Sequence, residues 1–406
     1  MKNIRELAAR LAGATALLAV ILSLQFSAYM ASGVSGATTI TVNNTADKIS
    51  TDGFCTLREA IIAANKDLAS SSGAGECPAG SGADTIVLPA GTYTLTRTDN
   101  GNEDSSSTGD LDIKSSITIS PTGPVTITAA SGFSDRIFHI HSGIVAISGV
   151  TISNGNSSSD GGGIHNKGTL TLRNSTISGN KAGGKGGGIY NYGTLTLRNV
   201  TLSGNTAKSS GGGLSNYEGT ANLNNVTLAF NTADSNADNI GDGGGIYAYN
   251  DDDGWVKAGN SIIANNNDNS PTASKKHPDC SGALISQGYN LIQNTTGCAI
   301  TGVTTGNLLG VNPNLEPLQN NGGNTFTHEL LAGSPAMESG DPATPGSGGG
   351  ACEATDQRGV TRPIGLRCDM GALEADNPPQ VGPVFIVNTT DDPGDGVCGY
   401  SHCSLR

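Results

Sequence analysis

Residues Gly161 to Asn180 read GGGIHNKGTLTLRNSTISGN, and Gly186 to Asn205 read GGGIYNYGTLTLRNVTLSGN, a near-copy set 25 residues later. A repeat of this length, written in Gly, Thr, Ser and Asn, leaves few folds open to the chain. Ile164, Ile189, Leu214 and Ile246 each follow a glycine triplet. Leu170 and Leu172 match Leu195 and Leu197, then Ala221 and Leu223, then Val256 and Ala258; Ile177, Leu202, Leu228 and Ile263 make a third apolar column. A diverged copy, GIVAISGVTISNGN, starts at Gly143, and the copy from Gly211 to Gly243 is longer, so that residues around TADSNADNIGD should project as a loop.

Within each copy TLTL and STIS alternate apolar with polar residues, the two-residue period of a strand, and Gly and Asn punctuate the runs. A leucine-rich repeat has a similar period, but its helical side would have to form from poor helix residues. There is no G-G-x-G-x-D calcium repeat. The architecture that fits is an all-β, right-handed parallel β-helix, a solenoid in which each period is one coil and coils stack at about 4.8 Å. Stacked Ile and Leu fill a narrow interior, in keeping with an aromatic content of only 4%. Two asparagine columns, Asn174–Asn199–Asn225–Asn260 and Asn180–Asn205–Asn231–Asn266, are expected to bond amide to amide up the stack.

A net charge of −13 argues against nucleic acid as a partner. Lys2, Arg5 and Arg10 precede LAGATALLAVILSLQF and a run of small residues, the pattern of an export signal over residues 1–36. Eight cysteines suit an oxidising compartment. They fall in local pairs, Cys55 with Cys77, Cys280 with Cys298, Cys352 with Cys368 and Cys398 with Cys403, and none has zinc-ribbon spacing. No metal site is expected from them.

A solenoid must cover its ends. CTLREAIIAAN, from Cys55, supplies a short lid helix with Thr56 as N-cap and Glu59 closing a capping box. CTLREA resembles the CSLREA motif of bacterial exported β-helix proteins. DTIVLPAGTYTL and GDLDIKSSITI, from Asp84 and Gly109, look like that family's first coils. NPNLEPLQNNGGNTFTHELLAGSPAMESGD, ATDQRGVTRP and CDMGALE resemble the choice-of-anchor Q domain, and the glycine-led repeats are similar to those of polymorphic outer-membrane proteins and, more distantly, to the pectate-lyase-like superfamily. The resemblance implies a CSLREA-type cap over residues 39–80, coils over 81–306 and a closing domain over 307–376. Residues 377–406 contain FIVNTTDDPGDGVCGYSHCSLR, which mirrors TVNNTADKISTDGFCTLR, and read as a linker and the start of a second such module. Any membrane or wall attachment is expected beyond Arg406.

The functional expectation is an exported, monomeric protein, secreted or held at the cell envelope, cell surface or outer membrane, that contacts glycans without catalysis. A purely structural spacer is one alternative. A polysaccharide lyase or glycoside hydrolase is the other; a lyase would need carboxylates for calcium and an Arg or Lys base. Candidates for that chemistry are Asp242, Asp251 to Asp253, Lys257, Arg173 and Arg198, which do not form matched carboxylates on neighbouring coils. His328, Asp356, Arg358 and Asp369 read as ion pairs and turn caps of the closing domain. Serine-triad, P-loop and zincin motifs are absent. No catalytic residue or cofactor is expected, calcium entering only under the lyase reading. The candidate glycan contacts are His165, Tyr190, Tyr192, Tyr217, Tyr247 and Tyr249, which flank the Asn after each glycine triplet and should point outward, with Lys167 and Ser215 at the same positions. They are expected to form a flat aromatic strip.

Overall fold

The structure, a computed structural model, describes residues 36–99, 103–249 and 254–375. The signal segment, Asp251 to Asp253, Cys398, Cys403 and the second-module residues lie outside the described residues.

The described chain winds into a right-handed parallel β-helix, the hand that parallel crossovers take. Strand Thr169–Ser178 pairs in parallel with Thr194–Ser203, and that strand with Thr220–Ala229. The register sets Leu170 beside Leu195 and Ala221, Leu172 beside Leu197 and Leu223, and Ile177 beside Leu202 and Leu228. The columns read from the repeat are therefore the columns of the core. One extends well beyond the recognisable repeats, from Ile40 through Ile86, Ile119, Ile147, Leu172, Leu197 and Leu223 to Ala258. Every member is at most 1% exposed, so each coil contributes an aliphatic group to one continuous dry interior.

The glycine triplets serve two needs. Gly186 turns the chain at φ +68°, where L-residues are strained, and a Cβ on Gly187 would lie 2.5 Å from the carbonyl oxygen of Gly212 on the next coil. Coils can approach at strand spacing there only without side chains.

The column Asn180–Asn205–Asn231–Asn266 is an internal ladder. Each Nδ2 donates at 2.9 Å to the Oδ1 of the next asparagine, and Asn266 donates at 2.9 Å to Asp279, which ends the stack. Each Nδ2 also reaches a strand carbonyl, such as Ile177 O for Asn205, so the buried amides are satisfied. A second ladder, Asn166–Asn191–Asn216, repeats the geometry at 2.7 Å. The column Asn174–Asn199–Asn225–Asn260 differs from expectation. These residues occupy the left-handed region at φ 49–51°, where they turn the corner between strands. Only Asn199 bonds its column neighbour Asn174; the other amides face the C-terminal segment.

The lid helix, Leu57–Lys66, carries the expected capping box between Thr56 and Glu59 and buries Leu57, Ala60, Ile61, Ala63 and Ala64. Arg58, 1% exposed, locks it down by donating to the carbonyls of Ser106, Gly109 and Asp110 and pairing with Asp47. After the last coil the chain turns back, and residues 313–375 pack along the solenoid's flank, not over its final long strand Cys298–Val303, which is mostly exposed. Gln357 bonds Thr176 and Thr201, Asn199 bonds Thr355 O, Asn225 bonds Glu353 N, and Asn260 bonds Gly350 O. Leu330, Ala336, Met370 and Leu373 form a second apolar cluster with Ile262, Ala264 and Leu291. Cys55–Cys77, Cys280–Cys298 and Cys352–Cys368 are disulfide-bonded.

Asn205→Ala removes a rung and orphans its neighbours' buried groups, which should cost on the order of 1–3 kcal/mol in urea unfolding. A second expectation concerns pH. Burial raises the Asp279 carboxyl from its ordinary 3.8 to about 6. A raised folded pKa gives stability that is complete below the unfolded value and lost as pH rises through the folded one. Unfolding free energy should therefore decline between about pH 4 and 6, and Asp279→Asn, which cannot ionise, should flatten the profile over that range.

Candidate ligand-contact face

The three-residue strands after the glycine triplets present two outward columns. Strand pairing stacks His139, His165, Tyr190, Ser215 and Tyr247 in the first. The residues two further on, His141, Lys167, Tyr192, Tyr217 and Tyr249, make the second, because alternate residues of a strand share a face. All six residues expected to line an outer strip are thus brought together.

The rings meet one another as much as they meet solvent. Tyr217 and Tyr249 stack with centroids 4.5 Å apart and planes 24° from parallel. Tyr217 lies 6.3 Å from Tyr192 and 6.2 Å from Tyr190, and His165 meets Tyr190 edge-on at 4.9 Å. The Lys185 ammonium sits 4.3 Å from the Tyr217 centroid. Tyr192 is 48% exposed, whereas Tyr190 is only 7% exposed. The flat strip expected from sequence is instead a packed column with one open ring. The reason is spacing: coils about 4.8 Å apart bring successive rings within stacking distance.

Burial sets the electrostatics of the first column. It drives the Tyr190 phenol upward and holds the His165 imidazole down at about 3, with Arg136 and Lys167 adding to the effect. His165 is therefore neutral at neutral pH, and its Nε2 and the Ser215 hydroxyl are buried without a hydrogen-bond partner. On Tyr192, a hydrogen bond to Glu218 raises the phenol pKa.

The residues weighed for catalysis are otherwise engaged. Asp242 accepts from His277 Nδ1 at 2.8 Å, and Lys257 sits 4.2 Å from the Trp255 centroid. Arg173 and Arg198, stacked on adjacent coils, converge on Glu353. Arg198 and Glu353 edge a groove of about 540 Å³ between the coils and the glycine-rich stretch Gly346–Gly350. In the C-terminal segment Arg358 pairs with Asp356 at 2.9 Å and His328 meets Ser203 Oγ at 2.8 Å. Asp369 accepts the amides of Glu338 and Ala375, while burial and the nearby Glu374 raise its carboxyl to about 8. These are the ion pairs and turn caps expected there.

No known family profile matches the chain, and no curated protein matches it. Among solved structures it is similar to a crystal structure of pectate lyase Pel9A, with a TM-score of 0.44 and 15% identity over 85% of this chain and 98% of that one.

Burial separates the two tyrosines of one strand. Tyr190→Ala should cost about 2–4 kcal/mol in chemical denaturation, whereas Tyr192→Ala should stay within about 0.5 kcal/mol.

Proposed function

We propose that this is an exported, non-catalytic β-helix protein of the cell surface or envelope that holds a polysaccharide along its tyrosine face. The observation that carries this reading is the Tyr192–Tyr217–Tyr249 column, with one open ring. A glycan offers the matching chemistry, a C–H face for the open aromatic ring. The face extends along the solenoid axis, as a linear polymer requires, and Lys167 and Lys185 border it. The disulfides and the resemblance of CTLREA to the CSLREA motif support export.

The engagement of Asp242, Lys257, Arg173 and Arg198 by other groups supports the non-catalytic form of the reading. The test compares wild type with Tyr192→Ala by affinity electrophoresis through immobilised polysaccharides. Loss of one stacking ring should weaken retention by about 1 kcal/mol, or roughly fivefold, at unchanged melting temperature. If the folded wild type is retained by no polysaccharide, the structural spacer replaces this reading. Unsaturated ends released from polygalacturonate with calcium, seen as rising ultraviolet absorbance, would make the protein a lyase instead.

A further inference from the structure

At its N-terminal end the same face changes from aromatic to ligating. Strand Leu111–Ile113 pairs with Phe138–Ile140 so that Asp112 lies beside His139. His141, two residues on, falls on the same face, and its Nε2 lies 2.7 Å from Asp112 Oδ1. His139 Nδ1 lies 3.7 Å from the same oxygen, and Asp104 Oδ1, from the neighbouring loop, lies 3.8 Å from His141 Nε2. One donor atom from each of these four residues falls within 4.8 Å of the others.

We infer that Asp112, His139 and His141, completed by Asp104, form a binding site for a divalent transition-metal ion of zinc's class. Four ligands at zinc's bond lengths of about 2.0–2.1 Å in a tetrahedron stand about 3.3 Å apart. Three of the six separations, 2.7, 3.7 and 3.8 Å, bracket that value and the others stand within 4.8 Å, so side-chain rotations close the shell. The donor set, two imidazoles and two carboxylates, suits zinc and its neighbours better than the all-oxygen shells of calcium or magnesium.

Asp112 and His139 are buried. The His139 side chain is 9% exposed, and its Nε2 is buried with no hydrogen-bond partner. The carboxylate is also held in place: the Ser106 amide donates to Asp112 Oδ2 at 2.8 Å, leaving Oδ1 turned to the histidines. Outer bonds of this kind fix the ligands of metal sites. An ion here would clip the loop carrying Asp104 and Ser106, whose carbonyl also accepts from Arg58 of the lid helix, to the coil beneath. The site does not depend on the glycan reading.

The test titrates zinc chloride into the chelator-treated, dialysed protein by calorimetry, with the melting temperature followed in parallel. Wild type should take up one tight equivalent, with a rise in melting temperature. His139→Gln/His141→Gln should lose that equivalent. His141→Gln alone, at the more exposed edge, should weaken it by at least the roughly tenfold that loss of a mere outer-shell partner costs. His277→Gln should bind as wild type does, since His277 belongs to the separate group with Asp242 and Asp268. Cobalt in place of zinc should give the visible absorption of a tetrahedral centre in wild type and lose it in the folded His141→Gln variant. No uptake by wild type at millimolar zinc, or uptake that the His139 and His141 substitutions leave unchanged, overturns the proposal.

Discussion

Along the paired strands of this protein, each side chain lies directly above its counterpart in the next coil. The backbone ladder sets that condition, and most of the composition follows from it. Branched and γ-branched aliphatics tolerate contact with their own kind, so Leu172, Leu197 and Leu223 stack into a core. Primary amides carry both donor and acceptor, so Asn180, Asn205 and Asn231 bond in series. Charges fare worst, because like stacks on like. Arg173 and Arg198 stand one above the other, and Glu353 from the C-terminal segment lies between them. A charged content of 14% is what such stacking selects.

The repeated coils were legible because a period of 25 residues reveals which positions share an environment. It does not reveal which environment. Asn199 and Asn205 recur with the same spacing, yet one turns a corner at φ 51° while the other is a rung of an internal ladder. An amide serves both roles, so periodicity alone could not separate them. The Asn166 ladder was hidden in the same way. The earliest coils lack glycine triplets, and only their alternating Ile and Val hint at the stack that begins at Ile40. The lid helix was readable from local chemistry, since a capping box is a matter of four adjacent residues. Arg58 within it was not, because the carbonyls it donates to lie about 50 residues away.

The outward face shows the same limit from the other side. Counting positions placed the tyrosines in two columns, as the structure has them, but exposure is set by neighbours rather than by direction. Tyr190 points outward and is nonetheless covered, because rings on coils about 4.8 Å apart fill the space above one another. The His139-Ile140-His141 triplet carried a usable signal: alternate histidines on a strand share a face. What sequence could not supply is the loop that brings Asp104 to them, a contact that no repeat position encodes.

The C-terminal segment changes how the solenoid holds together. In a simple stack each coil touches only its neighbours, so stability is a sum of local terms and coils can peel away singly. Here a single segment bonds successive coils at their corners. Thr325 and Gln357 meet the coil of Asn174 and Thr176, Thr355 meets Asn199, Gly371 meets Asn225, and Asp341 meets Asn260. Separating any of these coils from the next must therefore break contacts that also hold the others. The corner asparagines make this coupling available, since a left-handed turn leaves the amide free to face outward while a ladder position would spend it inward. Nearest-neighbour stacking builds the coils; the flanking segment makes four of them behave as one unit.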